Sequence, residues 1–519
     1  MKQLIAAIVV VLFLIVSGNI LFVLANNDPL WLDELHTSWV VSGTWAEVAP
    51  RAAIGNQTPV YFWILKAVVD CLGQSPFSLR LVSVIATLAT VVVAAVWNAI
   101  ATRTWIGTVL LLVAIGNAAP YLYYGSEARP YAMLIFCTCV QLFLLLSAPN
   151  GNERILSIRT LFLVVSTAML IGIHATAIIF VVAEVFVLLF AHFLLGVYFS
   201  SLRQLISTTR FAGITAGLMM GLPFLIALKA TMEQRMLWSD FSSVSGMVAD
   251  FLEPVCLLVF AVLVWGSAIY VGKPTEQTQS SCERVAWLVT TFSIVGLLAM
   301  LVISLLGLAP VAAMRYALPC WVAMVIATAM HISFAWNRLR NRIWARVTIV
   351  LAVFVLQVIG RTLVSYSTIQ RCIWTNEVPQ IRTENWDSLV QAINERNSSS
   401  PTEILLLGNI LEDSLLQTTS DNAKLNDYLE FPLRGIYSVG QSRVVPAATW
   451  SDSRLRFLED FPYREQSVFV VARMGPSDLS KLESQLQRIA RKRHLLVERI
   501  GKVGSSVQGF HLVQLPDVK

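Results

Sequence analysis

The residues whose types suit chemistry lie in a few short polar runs between long apolar ones. The first run is Trp31-Leu32-Asp33-Glu34-Leu35-His36, with two adjacent carboxylates close to an apolar segment. Glu127 and Arg129 precede Tyr131 at the start of another apolar stretch, His174 closes a third, and Arg315-Tyr316 opens a fourth. Guanidinium groups bind phosphate oxygens bidentately and never lose their charge, so Arg129 and Arg315 suit a phosphate-bearing ligand. A carboxylate such as Asp33 can accept a proton from a hydroxyl in a transition state. An aromatic such as Trp31 or Tyr61 offers a flat face to a sugar ring. Each residue also has a plain structural reading. The acid pair can be solvated loop, the two arginines can snorkel to headgroups, Glu127 can pair with Arg129, and His174 can be a satisfied core histidine.

Composition decides what surrounds these residues. Hydrophobic residues make up 56% of the chain and charged ones 13%, and runs long enough to span a bilayer recur up to about residue 365. This pattern describes a polytopic α-helical membrane protein. The net charge of +6 is therefore no nucleic-acid signal, and its distribution among loops carries the information. The seven cysteines form no CxxC pair and no metal-ligand spacing, so no disulfide framework is implied.

Apolar patterning predicts spans near 4–25, 78–100, 104–120, 130–147, 158–174, 175–199, 209–229, 251–272, 284–308, 312–335 and 344–365. The first follows Lys2 and lacks a clear cleavage site, which favours an uncleaved anchor over a signal peptide. Pro59–Leu72 is apolar but short, and Lys66 and Asp70 interrupt it. If it does not cross, Arg103, Arg154, Arg159, Arg203, Arg210, Lys273, Arg284, Arg338, Arg340, Arg342 and Arg346 all fall on the side of the amino terminus. The acids Asp28, Asp33, Glu34, Glu47, Glu127, Glu233, Asp240 and Asp250 then fall opposite. That bias obeys the positive-inside rule, so Pro59–Leu72 reads as an amphipathic helix on the outer leaflet. About eleven spans follow, with the amino terminus cytoplasmic. Residues 1–366 form the membrane part, with a first outer loop over 26–77. From about Ser367 charges become frequent and apolar runs shorten, which predicts an extracytoplasmic soluble α/β domain over 367–519. In it Trp386–Glu395 and Asp478–Arg493 read as helices, and Glu403–Leu407 and Ser467–Val471 as strands. No phosphate loop, nucleophile elbow or paired metal ligands assign chemistry to that domain.

Sorted by side, Asp33, Glu34, His36, Glu127, Arg129, His174, Arg315 and Tyr316 converge on one face of the bilayer. Arginines for a lipid phosphate, a carboxylate for an acceptor hydroxyl and aromatics for a sugar describe glycosyl transfer from a polyprenyl phosphate. The leaving group is already a phosphate stabilised by arginine, so this chemistry requires no metal or other cofactor, and a divalent cation is left open. Rival classes are a transporter or flippase of lipid-linked sugars, a diphosphate-dependent glycan ligase or polymerase, and an inert membrane scaffold with an outer binding domain. Against transport, the charges cluster at one surface and no inverted repeat is evident.

At these residues the chain resembles a family. Asp33-Glu34, then Gln57-Thr58-Pro59-Val60-Tyr61 and Ser78-Leu79-Arg80-Leu81, look like the GT-C membrane glycosyltransferases. The branch in question holds the bacterial protein O-mannosyltransferases and the lipid A aminoarabinose transferase. Tyr124-Gly125-Ser126-Glu127-Ala128-Arg129-Pro130-Tyr131, Gly172-Ile173-His174-Ala175-Thr176 and Arg315-Tyr316-Ala317-Leu318-Pro319 are similar to its Glu-Ala-Arg-Pro-Tyr, His and Arg-Tyr-x-x-Pro segments. The resemblance covers about Trp31 to Pro319. It implies an inverting transferase in a bacterial inner membrane that uses a polyprenyl-phosphate sugar. Asp33 then matches the catalytic base and Glu34 its supporting acid. Trp31, Tyr61, Glu127, Arg129, Tyr131, His174, Arg315 and Tyr316 become substrate-binding candidates. Gln57 and Thr58 stand where many relatives carry His-Pro, so any role of that histidine is lost or moved to His36 or His174. Expected partners are the lipid-linked donor, an acceptor of unspecified kind and membrane lipids.

Overall fold

The computed structural model describes residues 2–116, 118–146, 158–190, 208–236, 244–271, 277–309, 311, 313–359, 382, 384–396, 402–408, 427–447, 458, 467–501 and 505–515. Arg154, Arg203, Asp240 and Lys273 of the charge pattern, and the start of the tail at Ser367, lie outside the described residues. Two compact units form. One comprises Met1–Ala25, Asn56–Ile64 and Arg80–Pro379, and the other Asn26–Gly55, Leu65–Leu79 and Gln380–Lys519.

The first unit is helical. Among the described residues five helices are long and apolar enough to cross a membrane: Leu4–Asn27, Pro76–Thr102, Phe251–Tyr270, Glu283–Leu305 and Met314–Arg338. Trp105–Gly116, Tyr131–Leu146, Ile158–Ile173, Ala177–Phe190, Ala212–Ile226 and Ile343–Val353 are shorter apolar helices. Each span expected from the sequence overlaps one of these, and residues 191–199 and 360–365 of two of them lie outside the described residues. Among the described residues the helices, in chain order, are α1 (Lys2–Asn27), α2 (Leu32–Ser42) and α3 (Trp45–Ile54), the last two in the second unit, then α4 (Val60–Leu72), α5 (Pro76–Thr102), α6 (Trp105–Gly116), α7 (Ala119–Gly125) and α8 (Tyr131–Leu146). Then come α9 (Ile158–Ile173), α10 (Ala177–Phe190), α11 (Thr208–Met236), α12 (Val244–Val271), α13 (Gln277–Leu305), α14 (Met314–Arg338) and α15 (Ile343–Ile359).

Helix α1 is apolar all round, and Leu4, Ile8 and Leu12 point away from the protein, as suits a helix facing lipid. Its last turn is capped from α5. The fully buried Arg80 donates through Nη1 to the carbonyls of Leu24 and Ala25, both at 3.3 Å. A cation there satisfies orphan carbonyls and opposes the negative end of the helix dipole. Helix α14 is the centre of the bundle: its apolar window is wholly buried, against α6, α8, α12 and α13. Arg338 at its end holds Glu283 of α13 with contacts of 2.9 and 3.0 Å. Helices α9 and α11 approach through Gly213, Gly217 and Gly221, a glycine every fourth residue. A Cβ at Gly217 would lie 2.5 Å from Thr167 Cβ and 2.7 Å from the Val164 carbonyl. Small residues let backbones touch where lipid supplies no hydrophobic drive to associate.

Helix α4 is 13 residues long, about 20 Å against a hydrocarbon core of roughly 30 Å. Its two charges pair with each other, Lys66 Nζ to Asp70 Oδ1 at 2.5 Å. At its first turn Val60 fills the space beside Gly172 of α9, and Trp63 packs edge-on against Phe224 of α11.

The second unit contains a five-stranded mixed sheet of β1 (Glu403–Leu407), β2 (Arg443–Pro446), β3 (Val468–Arg473), β4 (Leu495–Ile500) and β5 (Val507–Gln514). The order is β2-β1-β3-β5-β4, with β1 parallel to β2 and β3, and β5 antiparallel to β3 and β4. Alternate residues Leu405 and Leu407, Val468 and Val470, and Phe510 and Leu512 share one face with Leu479, Leu482, Leu486 and Ile489. These four come from α17 (Pro476–Arg493) at helical spacing, so a period of two meets a period of 3.6. The other face receives α16 (Trp386–Arg396), whose Leu389 lies where a Cβ on Gly509 would be 2.4 Å away. Helices α16 and α17 and strands β1 and β3 match the sequence expectation within a few residues. Strands β2, β4 and β5 were not expected, nor were α2 and α3 within the first loop.

Candidate active site

Each unit gathers part of the expected set. In the first unit, α7 ends at Gly125, which sits against Leu21 of α1 and Thr87 of α5. The chain then turns through Glu127-Ala128-Arg129-Pro130 into α8. That turn is held from α5, where Ser83 Oγ donates to the Arg129 carbonyl at 3.2 Å. It is also held internally, by the Arg129 N–H on the Glu127 carbonyl at 2.8 Å. Proline after Arg129 starts the next helix without needing a partner for its nitrogen. Tyr131 therefore stands at the first position of α8, and the Arg129 guanidinium lies 5.9 Å from its ring centre.

Helix α9 delivers His174 to the same place. Its ring centre is 5.7 Å from that of Tyr131 and 5.5 Å from that of Tyr316, which is itself 6.3 Å from Tyr131. Tyr124 of α7 adds a fourth ring, 5.5 Å from Tyr131. His174 Nδ1 accepts the Thr176 N–H at 3.3 Å and lies 2.8 Å from Thr176 Oγ1. An accepting Nδ1 leaves the proton on Nε2 in the neutral ring. Arg315, in the first turn of α14, lies with its guanidinium 4.9 Å from the Tyr316 ring centre. Glu127, Arg129, Tyr131 and His174 are buried, whereas Arg315 and Tyr316 are half-buried. Six of the expected residues thus form one aromatic cluster with two cations and one acid. Tyr61 lies apart from these, fully buried and edge-on to Phe62. Burial follows from its place in the first turn of α4, which packs into the bundle.

In the second unit, Asp33 and Glu34 occupy the first turn of α2 and diverge as successive helical residues must. Asp33 is half-buried, and Glu34 is completely buried. Glu34 accepts the Trp31 N–H at 3.4 Å and makes an ion contact of 3.5 Å with Arg382 Nε. Arg382 also binds Asp28, through Nη1 to Oδ2 at 2.6 Å and through its backbone N–H to Oδ1 at 3.2 Å. Glu384 accepts the Leu32 N–H at 2.9 Å, the Trp386 indole N–H at 2.9 Å and Arg473 Nε at 2.8 Å. Carboxylates at a helix amino terminus are favoured by its dipole. The first turn of α2 is therefore pinned by residues of the tail. His36 lies among Trp39, Tyr428 and Phe431 at 5.5–5.9 Å between ring centres, with Gly55 leaving it room. Arg382 and Glu384 were not picked out from the sequence, and Asp28 was only counted among the acids expected on the outer side; nothing local marks their pairing. Among the described residues no group of three or more His, Cys, Asp or Glu side chains could hold a metal ion.

No family model matches the chain, and no curated protein sequence matches it. Solved structures do. ArnT from Cupriavidus metallidurans in the apo state aligns over 98% of this chain and 98% of its own, with a TM-score of 0.54 and 13% identity. The same protein bound to undecaprenyl phosphate aligns over 97% of each chain, with a TM-score of 0.53 and 13% identity. The Archaeoglobus fulgidus oligosaccharyltransferase, tethered to an acceptor peptide, aligns over 98% of this chain and 74% of its own at 11% identity, with a TM-score of 0.47, too low to build on. At these identities the ArnT likeness shows the fold alone, over nearly all of the chain: that of a polytopic α-helical membrane protein.

Proposed function

We propose that this protein is an inverting glycosyltransferase that moves a sugar from a polyprenyl-phosphate donor to an acceptor at the outer face of a bacterial inner membrane. The observation that carries this reading is the convergence of Arg129 and Arg315 on the Tyr131–His174–Tyr316 cluster. It occurs in a fold shared with a protein whose structure holds undecaprenyl phosphate.

The roles follow from burial and chemistry. Half-buried Arg315 is the residue to engage the donor phosphate, and buried Arg129 supports it through the Tyr131 ring. The acceptor hydroxyl attacks the anomeric carbon from the side opposite the phosphate. The carbon–oxygen bond to phosphate breaks, its electron pair leaves with the phosphate, and the hydroxyl proton passes to Asp33. Arginine neutralises the charge that develops on the leaving group, so the step needs no metal. Glu34 acts indirectly, through Arg382, by fixing the turn that carries Asp33. On this reading the amino terminus is cytoplasmic and residues 367–519 are extracytoplasmic.

The test is transfer of radiolabelled sugar from polyprenyl-phosphate monosaccharides by the purified chain in lipid. Asp33→Asn is expected to slow transfer by about 10²–10⁴-fold, the usual worth of a general base. Equal transfer by both proteins would remove Asp33 as base, and no transfer from any monophosphate donor would remove the donor assignment.

A further inference from the structure

A second site lies within the helical unit, at the end of α5 remote from Arg80, and it does not depend on the transferase reading. There α1, α5 and α6, with the turn between α14 and α15, enclose a groove of about 970 Å³. That is the upper end of the ~300–1,000 Å³ typical of ligand pockets. Its walls are apolar, including Val10 and Leu14 of α1 and Val96 of α5, while Arg103, Arg340 and Arg346 line it at one end with Trp105 and Trp336.

Three features make this more than an interhelical gap. Arg103 directly follows α5 with φ at 53° and donates its N–H to the Ala99 carbonyl at 2.9 Å. A non-glycine residue pays for that left-handed conformation. Arg346 is fixed, donating to the Trp336 carbonyl at 3.0 and 3.2 Å with its guanidinium 4.8 Å from the Trp336 ring centre. Among the described residues no carboxylate pairs with Arg103, Arg340 or Arg346, although Arg338 close by is fully engaged by Glu283. Among the described residues these three cations at the head of an apolar slot have no carboxylate partner, and the slot suits an anion that carries a hydrocarbon chain. Basic pockets between helices, flanked by interfacial tryptophan, hold lipid headgroups in this way.

We infer that this groove binds an anionic phospholipid, with its phosphate on Arg103, Arg340 and Arg346 and its chains along α1 and α5. The experiment is native mass spectrometry of the full chain released from nanodiscs of phosphatidylglycerol or of phosphatidylcholine with the same chains. Wild type is expected to retain phosphatidylglycerol and not phosphatidylcholine. The double variant Arg103→Gln/Arg340→Gln should retain it about thirty-fold less, given what each basic residue contributes near an anionic headgroup. Val96→Trp, which fills the wall and leaves every charge in place, should also displace it. Equal retention of both lipids by wild type overturns the proposal, as does unchanged retention in both variants. Displacement of phosphatidylglycerol by equimolar polyprenyl phosphate overturns it too, reassigning the groove to that lipid. Equally effective competition by soluble glycerol phosphate would overturn the hydrocarbon part. If the arginine variant does not remain monodisperse, Val96→Trp and the lipid contrast still decide.

Discussion

Replacing Arg382 with methionine tests how the candidate base is held. Arg382 has 2% of its side chain exposed, and its partners Asp28 and Glu34 have none. The variant keeps an unbranched apolar stem and removes the charge. Two carboxylates then remain buried near the start of α2 without that guanidinium, while the backbone N–H of residue 382 still reaches Asp28, at 3.2 Å. Breaking a buried pair from one side costs about 3–5 kcal/mol, because the surviving charge keeps its desolvation penalty. Two acids depend on this guanidinium, so the upper part of that range is expected. Arg382→Lys should cost less, since it keeps a charge but cannot span both acids. Combining Arg382→Met with Asp28→Asn and Glu34→Gln should recover much of the loss, because a neutral buried set carries no unpaired charge. Thermal melting of the purified chain measures the first quantity, and limited proteolysis within 26–55 measures release of the loop. A loss within the ~0.2–1 kcal/mol of an exposed pair would refute the reasoning. So would a triple variant no better than Arg382→Met.

Three further outcomes are expected. Gly217→Ala should destabilise the chain by about 1–3 kcal/mol by forcing α9 and α11 apart, because its Cβ meets the Val164 backbone at 2.7 Å. The control Gly266→Ala, with nothing within 4 Å, should melt no lower than wild type. Arg315→Lys should raise the donor KM roughly ten-fold, since an ammonium cannot reproduce a guanidinium fork on phosphate. An unchanged KM would detach Arg315 from the donor. In the second unit, burial pushes His511 below the ordinary histidine range, against an opposing pull from Glu498 and with a smaller push from Arg396. Its neutral ring stacks on Phe469 at 4.3 Å. The unfolded chain therefore binds that proton more tightly, so the stabilisation is complete above the unfolded value of about 6.5 and is lost as pH falls through the folded value. Limited proteolysis of the tail should accelerate as pH falls through that window in wild type, and less so in His511→Phe.

Much of this molecule was legible because the signals are local. A span is recognised by a length of apolar residues that must match a bilayer, and α1, α5 and α14 follow from that alone. The spacing of Leu479, Leu482, Leu486 and Ile489 likewise announces a one-faced helix. Grouping Glu127, Arg129, His174, Arg315 and Tyr316 needed only the expected side on which each span begins or ends, whereas Tyr131 came with the resemblance. Strands β4 and β5 were less visible, since Glu498 and Arg499 in one and Gly509 in the other break the apolar pattern. The glycine repeat at 213, 217 and 221 stands in the sequence as a packing signal, yet nothing there names α9 as the partner.

What the sequence by itself determined is which segments are apolar, how long they run and which ends carry charge. Only the tertiary structure decided that Tyr61 is sealed in the bundle and that Arg80 caps α1. It also decided that Asp28 and Glu34 meet Arg382, more than three hundred residues away, leaving Asp33 the less buried acid of its pair. Periodicity is a property of one element and can be read along it. A buried charge finds its counterion through the packing of the whole chain, and no local pattern records which arginine that will be.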